Sequence, residues 1–188
     1  MAFVDGENFR IRGQEIAQSA SLSLVEGQYY GKNVYIWIPD VEPRRDLYEE
    51  TPLLDFSAIR ASYYTSLVGD DQKLTATRDA LWALGFTPSV FKKSRQEQKA
   101  KGVDITLARD LLIHAVHDHY DVAVLLAGDG DYLPLVDEAK RLGKVIYVAF
   151  FGDCGLSPEL SRASDMFFDL SNVFRKQWTD HIQRLLRS

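Results

Sequence analysis

The chain has 188 residues, 46% of them hydrophobic and 26% charged, with a net charge of −5 at pH 7. Such values exclude disordered and collagen-like chains and describe an ordinary globular one, of a size for one domain. The acid excess argues against a sequence-blind DNA coater, but it accommodates a nucleic-acid enzyme whose acids gather around metal ions. The single cysteine, Cys154, permits no internal disulfide and fits a reducing cytoplasm. No apolar run approaches the roughly 18 residues of a membrane span, and no charged-then-apolar signal peptide opens the chain. The expectation is a soluble cytoplasmic domain without membrane contact.

In chain order, Ala2 to Val4 is a short apolar strand that stops at DGEN, followed by a weak helical stretch near Gln14 to Ala20. Val34 to Ile38 (VYIWI) is β-branched and aromatic and predicts a strand; Val41 to Pro52 reads as an exposed charged excursion. A strand at about Ala58 to Thr65 precedes a helix that Asp70 or Asp71 caps and Gly85 ends. Pro88 to Lys92 predicts the next strand, and KKSRQEQKAKG after it a basic loop. From Asp104 the periodicity is helical, with Leu107, Leu111, Ile113 or His114, and Val116 facing inward. Six apolar residues in succession, Val122 to Ala127, mark a strand buried on both faces, hence a central parallel strand. A helix ending at Gly143, a buried strand at Val145 to Phe150, and a helix started by Ser157-Pro158 follow. The apolar piece MFFDL and a terminal helix over about 172–187 finish the chain. Strands alternating with helices imply a doubly wound, three-layer parallel α/β sheet in a single domain over 1–188.

In such sheets ligands bind beyond the carboxyl ends of the strands. Asp5 follows the first strand directly, and Asp129 and Asp131 follow the clearest strand across GDGD. Asp104 opens a helix that begins on the same edge. Crowded carboxylates need protons or a cation, and oxygen ligands without histidine or thiolate select Mg²⁺ or Mn²⁺. Metal-assisted phosphodiester hydrolysis is the reaction class this implies. Taken singly, an aspartate after a strand is more often a helix N-cap; the argument rests on all four sharing one edge.

Four motifs, in order, carry a resemblance: VDGEN (Val4 to Asn8), SYYTSL (Ser62 to Leu67), KGVDITLARDLL (Lys101 to Leu112) and AGDGDYLPLV (Ala127 to Val136). Together they resemble the NYN-domain family, PIN-like proteins of the LabA-like branch, from Val4 to about Leu170. The resemblance implies a PIN-like fold and a metal-dependent ribonuclease. By match it puts Asp5, Asn8, Asp104, Asp129 and Asp131 in the site, with Asp110 as support. Asp5 and Asp129 would be the primary ligands, with Asp104 and Asp131 completing the shell and Asn8 orienting water or a phosphate oxygen. The segment 32–52 departs from the family pattern and could be a lid, a partner surface or a simple insertion.

Lys92, Lys93, Arg95, Lys99 and Lys101 precede Asp104 and could grip an RNA backbone, single-stranded or structured, or simply be solvated. The terminal helix offers a face for its own sheet or for a second copy in a homodimer. His114, His117 and His119 invite a metal reading, but helix-end exposure explains them better. Cys154 has no base partner, Tyr63 or Tyr64 could stack on a base, and Trp37, Trp82 and Trp178 read as packing. A catalytically idle RNA- or protein-binding domain of the same fold is the alternative. A haloacid-dehalogenase-like phosphotransferase is a poor match because DGENF stands where DxDx(T/V) would, and no GxGxxG follows a strand.

Overall fold

The computed structural model describes residues 1–22, 60–83, 85–94 and 102–176. Its elements are β1 (Ala2–Asp5), α1 (Gly6–Ser19), β2 (Ala61–Leu67), α2 (Asp71–Ala83), β3 (Phe86–Lys92) and α3 (Val103–Val116). They continue with β4 (Val122–Leu126), a 3₁₀ turn (Gly130–Tyr132), α4 (Leu133–Arg141), β5 (Val145–Phe150), α5 (Pro158–Ala163) and β6 (Met166–Asp169). Among the described residues the six strands form one sheet in the order β3-β2-β1-β4-β5-β6, and every neighbouring pair is parallel. The order turns around between β1 and β4, which creates a crevice at their carboxyl ends. Among the described residues no helix is long and apolar enough to cross a membrane.

Alternation along the strands divides the interior into two cores. Val4, Tyr63 and Val124 face a cluster with Phe9 and Ile16 of α1, Leu74 and Leu81 of α2, and Phe174. Phe3, Tyr64 and Leu125 face the other side, against Leu107 and Leu111 of α3, Leu135 and Val136 of α4, and Leu160 of α5. A period of two in a sheet covered on both faces therefore makes the three-layer sandwich. Each fully buried Phe or Leu contributes roughly 1.5–3 kcal/mol through the apolar surface it removes from water.

Helix ends follow their capping residues. The Asp70 carboxylate accepts from Lys73 N–H at 2.8 Å, and Ser157 Oγ accepts from Leu160 N–H at 3.3 Å with Pro158 in the first turn. Gly85 and Gly143 take positive φ of 84° and 79°, the left-handed conformation that ends a helix and favours glycine. β5 has the bounds the sequence suggests.

Other expectations change. α1 begins at Gly6, well before the predicted helical stretch, because Asp5 caps it. β2 lies at Ala61–Leu67, shifted toward the C-terminus of its predicted span. In α3 the residues facing in are Val103, Leu107, Leu111 and Ala115, while Ile113 and Val116 are exposed; the small Ala115 takes the core position because it continues the four-residue spacing. Tyr63 and Tyr64 are both buried, since each face of β2 is covered by a helix layer, so neither presents its ring for base stacking. Trp82 is exposed rather than packed. The predicted strand at Val34–Ile38, the segments 41–52 and 32–52, Trp37 and Trp178 lie outside the described residues. Residues 171–176 are helical, and the rest of the predicted terminal helix lies outside them as well.

Candidate active site

Three chain segments meet at the β1–β4 crevice, around a pocket of about 100 Å³ lined by Asp5, Glu7, Asn8, Ile11, Val103, Asp104 and Asp129. Asp5 is the last residue of β1 and is 4% exposed. Its Oδ1 accepts from Asn8 N–H at 3.0 Å, capping α1. Its Oδ2 accepts from the Tyr132 hydroxyl at 2.9 Å. Burial pushes the Asp5 carboxyl up to about 7, and the charges of Asp104 and Glu7 add to that rise. Asp129 likewise caps, accepting from Asp131 N–H at 3.1 Å as the 3₁₀ turn starts. Capping and a place in the pocket lining are thus compatible: Asp5 gives one oxygen to its helix and the other to the Tyr132 hydroxyl.

Asp104 lies in the first turn of α3 and is exposed. The Tyr132 hydroxyl stands 3.2 Å from Asp104 Oδ1 as well as 2.9 Å from Asp5 Oδ2. A phenol has one proton for these two acceptors, so it braces β1 against α3. Burial and the two carboxylates hold the Tyr132 phenol far above its ordinary value. Asn8 Oδ1 accepts from Gly128 N–H at 3.2 Å, which ties α1 to the β4 exit and leaves the side-chain NH₂ as a donor.

The glycines of DGEN and GDGD are steric requirements. A Cβ on Gly6 would lie 2.0 Å from Tyr63 Cε1, and one on Gly128 would lie 2.3 Å from Phe150 Cε1 and 2.5 Å from Gly155 O. The two acid-bearing turns are therefore pressed against the core, which fixes where Asp5 and Asp129 stand.

The structure brings Asp5, Asn8, Asp104 and Asp129 to one pocket. Asp131 does not line it; this residue is exposed on the outer side of the 3₁₀ turn. Asp110 accepts from the Tyr64 hydroxyl at 3.0 Å and pairs with Arg109, which makes it a brace between α3 and β2. Lys92 is exposed and pairs with Asp71 at 3.2 Å. Lys93 points inward, its side chain 4% exposed and its ammonium 2.5 Å from Glu7 Oε1; it is a buried ion-pair partner and not an open contact for a backbone. Arg95, Lys99 and Lys101 lie outside the described residues.

Glu7 of the pocket and Tyr132, which bonds to two of its acids, escaped the sequence reading. Glu7, in the first turn of α1, lines the pocket and is held by Lys93 and by the Ser66 hydroxyl. Tyr132 was hidden in a stretch that reads only as a helix start. The signal for Glu7 was its place between Asp5 and Asn8; for Tyr132 it was an aromatic beside the acids of GDGD. Because the Lys93 ammonium is buried, removing only its partner leaves an uncompensated charge. Glu7→Leu is expected to lose about 3–5 kcal/mol in urea unfolding, and Glu7→Leu/Lys93→Met to recover most of it.

A family model for the NYN domain matches residues 1–171. The chain belongs to the NYN domain family. A crystal structure of a protein of unknown function from Vibrio parahaemolyticus matches this NYN domain with a TM-score of 0.58 at 20% identity, over 90% of each chain. At that identity the likeness speaks for the fold alone. No curated protein matches the sequence.

The donors of the pocket fit a hard divalent cation. They are carboxylates and a carboxamide, with no imidazole or thiol among its lining residues. Among the described residues no three His, Cys, Asp or Glu side chains stand close enough to ligate one ion. Mg²⁺ needs only one or two carboxylates and keeps the rest of its shell as water, so this spacing suits a largely hydrated ion.

Proposed function

We propose that this NYN domain is a metal-dependent endoribonuclease that hydrolyses RNA phosphodiester bonds at the β1–β4 pocket. The single observation behind it is the meeting of Asp5, Asp104 and Asp129, from three distant segments, at the switch point of the sheet. Asp5, Asp104 and Asp129 would hold Mg²⁺ or Mn²⁺, one or two of them directly and the others through its water. Bound there, the ion supplies positive charge against the phosphoryl oxygens and a polarised water.

The chain's own groups do the rest. Asn8, its carbonyl oxygen occupied by Gly128, directs its NH₂ donor at a phosphate oxygen without adding negative charge. Lys93 keeps Glu7 compensated, so the pocket carries less net repulsion toward an anionic strand. Lys92 exchanges its exposed partner Asp71 for an RNA phosphate at small cost, because surface ion pairs are worth little. Ile11 and Val103 give the pocket an apolar wall that limits competing water. Asp131 acts from outside the pocket, through water. The single cysteine agrees with a cytoplasmic setting.

A second reading, an RNA-binding domain that does not cleave, takes support from the Tyr132 hydroxyl lying between Asp5 and Asp104. One experiment separates the two: labelled RNAs and single-stranded DNA incubated with Mn²⁺, Mg²⁺ or EDTA, using wild type and Asp129→Asn. The nuclease reading expects metal-dependent RNA cleavage that falls by about 10²-fold or more in Asp129→Asn, with a smaller loss in Asp131→Asn. Binding without cleavage by folded wild type would select the second reading.

A further inference from the structure

The histidines at the far end of α3 form a built pair, His114 lying about 15 Å along the helix from Asp104. The helix closes in a Schellman motif: Asp118 N–H donates to Ala115 O at 3.1 Å and His119 N–H to His114 O at 2.9 Å. Asp118 adopts the left-handed conformation, φ 57°, a position that glycine usually fills. The reversal folds the residue after it back over the last helical turn, and that contact is ordinarily apolar. Here both partners are histidines. Their Nδ1 atoms stand 2.9 Å apart and their ring centroids 5.2 Å apart. Phe3 packs on the His114 ring at 6.3 Å, and His117 stacks on His119 at 5.6 Å, so both imidazoles are held from behind.

We propose that His114 and His119 chelate a divalent transition ion of the Zn²⁺ class through their facing Nδ1 atoms. Two imidazole nitrogens on a tetrahedral zinc stand about 3.3 Å apart, a few tenths of an ångström more than the present separation. A neutral imidazole carries one N–H. The existing contact therefore has a proton on one Nδ1 and a lone pair on the other. On chelation that proton passes through water to Nε2 of its own ring, and both Nδ1 lone pairs go to the metal. No net proton is released and no electron is transferred. Among the described residues no third His, Cys, Asp or Glu joins the pair around one point, so water fills the remaining positions. Imidazole prefers Zn²⁺, Cu²⁺ and Ni²⁺, whereas Mg²⁺ prefers oxygen; the two ends of α3 thus suit different ions. The pair shares no residue with the carboxylate pocket and does not depend on the nuclease reading.

The test uses the full ¹⁵N-labelled chain, titrated with ZnCl₂ in excess Mg²⁺ and followed on the histidine ring nitrogens. Zinc is expected to shift the Nδ1 signals of His114 and His119 and to leave those of His181 in place. His119→Gln is expected to weaken Zn²⁺ binding by roughly tenfold or more, and His181→Gln to leave it unchanged. His119 is exposed and His114 half-buried, and circular dichroism is used to check that the variants fold. Zinc that moves neither Nδ1 signal would overturn the proposal, as would equal affinity for wild type and His114→Gln/His119→Gln.

Discussion

Asp5→Asn is expected to lose RNA cleavage while making the metal-free chain more stable at alkaline pH. The Asp5 carboxyl is pushed up to about 7 by burial, above its unfolded value of 3.8. A raised folded pKa means that the native state holds the proton more tightly than the unfolded chain does. The stability this contributes is present below pH 4 and is lost as pH rises through about 7. Near pH 8 an ionised, buried Asp5 therefore costs roughly 4 kcal/mol, which asparagine does not incur. Asparagine keeps its oxygen for Asn8 N–H, and its NH₂ donates to the Tyr132 oxygen, whose own proton then goes to Asp104. Urea unfolding in EDTA should show Asp5→Asn more stable than wild type near pH 8, with the gap closing toward pH 5. Mg²⁺ or Mn²⁺ should raise the wild-type Tm near pH 8 and leave the variant unchanged. A variant that is less stable than wild type at alkaline pH would show that Asp5 is not under this electrostatic load.

Gly6→Ala is expected to destabilise the fold by about 2–3 kcal/mol, although alanine in a helix ordinarily improves on glycine by about 1 kcal/mol. The sign is set by contact. The added Cβ would sit 2.0 Å from Cε1 and 2.4 Å from Cζ of Tyr63. That ring is 2% exposed and packs edge-on against Phe86 at 5.2 Å, so it cannot swing into solvent. A Tm fall of roughly 5–10 °C follows for a domain of this size. Because Gly6 separates Asp5 from Glu7, the displacement also moves the pocket acids, and cleavage should fall with stability. A double-mutant cycle with Tyr63→Val measures the clash: the two substitutions together should cost less than their sum. Strict additivity would place the cause elsewhere.

How far the residues announce this site varies with the kind of interaction. Asp5 and Asp129 are legible because a strand's apolar run stops at them, and strand ends in a parallel sheet share an edge. β5 and the Ser157-Pro158 helix start are legible because they depend on neighbours in the chain. α1 was not, beyond its second half: GENFRIRG has two glycines and few periodic apolar residues, and its start depends on the Asp5 cap and on packing against β2. The histidines show the same division. The i, i+3 spacing of His114 and His117 attracts attention, yet the pair in contact is His114 and His119, brought together by the left-handed turn at Asp118.

By itself the sequence determined the α/β class, the family, and the identity of the acids at the strand ends, since all of these rest on periodicity, capping and ordered motifs. Only the tertiary structure decided which of those acids meet. It turned Asp131 outward and set Glu7 in the pocket. It also buried Lys93 against Glu7 and placed the Tyr132 hydroxyl between Asp5 and Asp104. Those outcomes depend on the strand order and on how closely helices press on the sheet, and residues 127 positions apart in the chain, Asp5 and Tyr132, become hydrogen-bond partners only when both are complete.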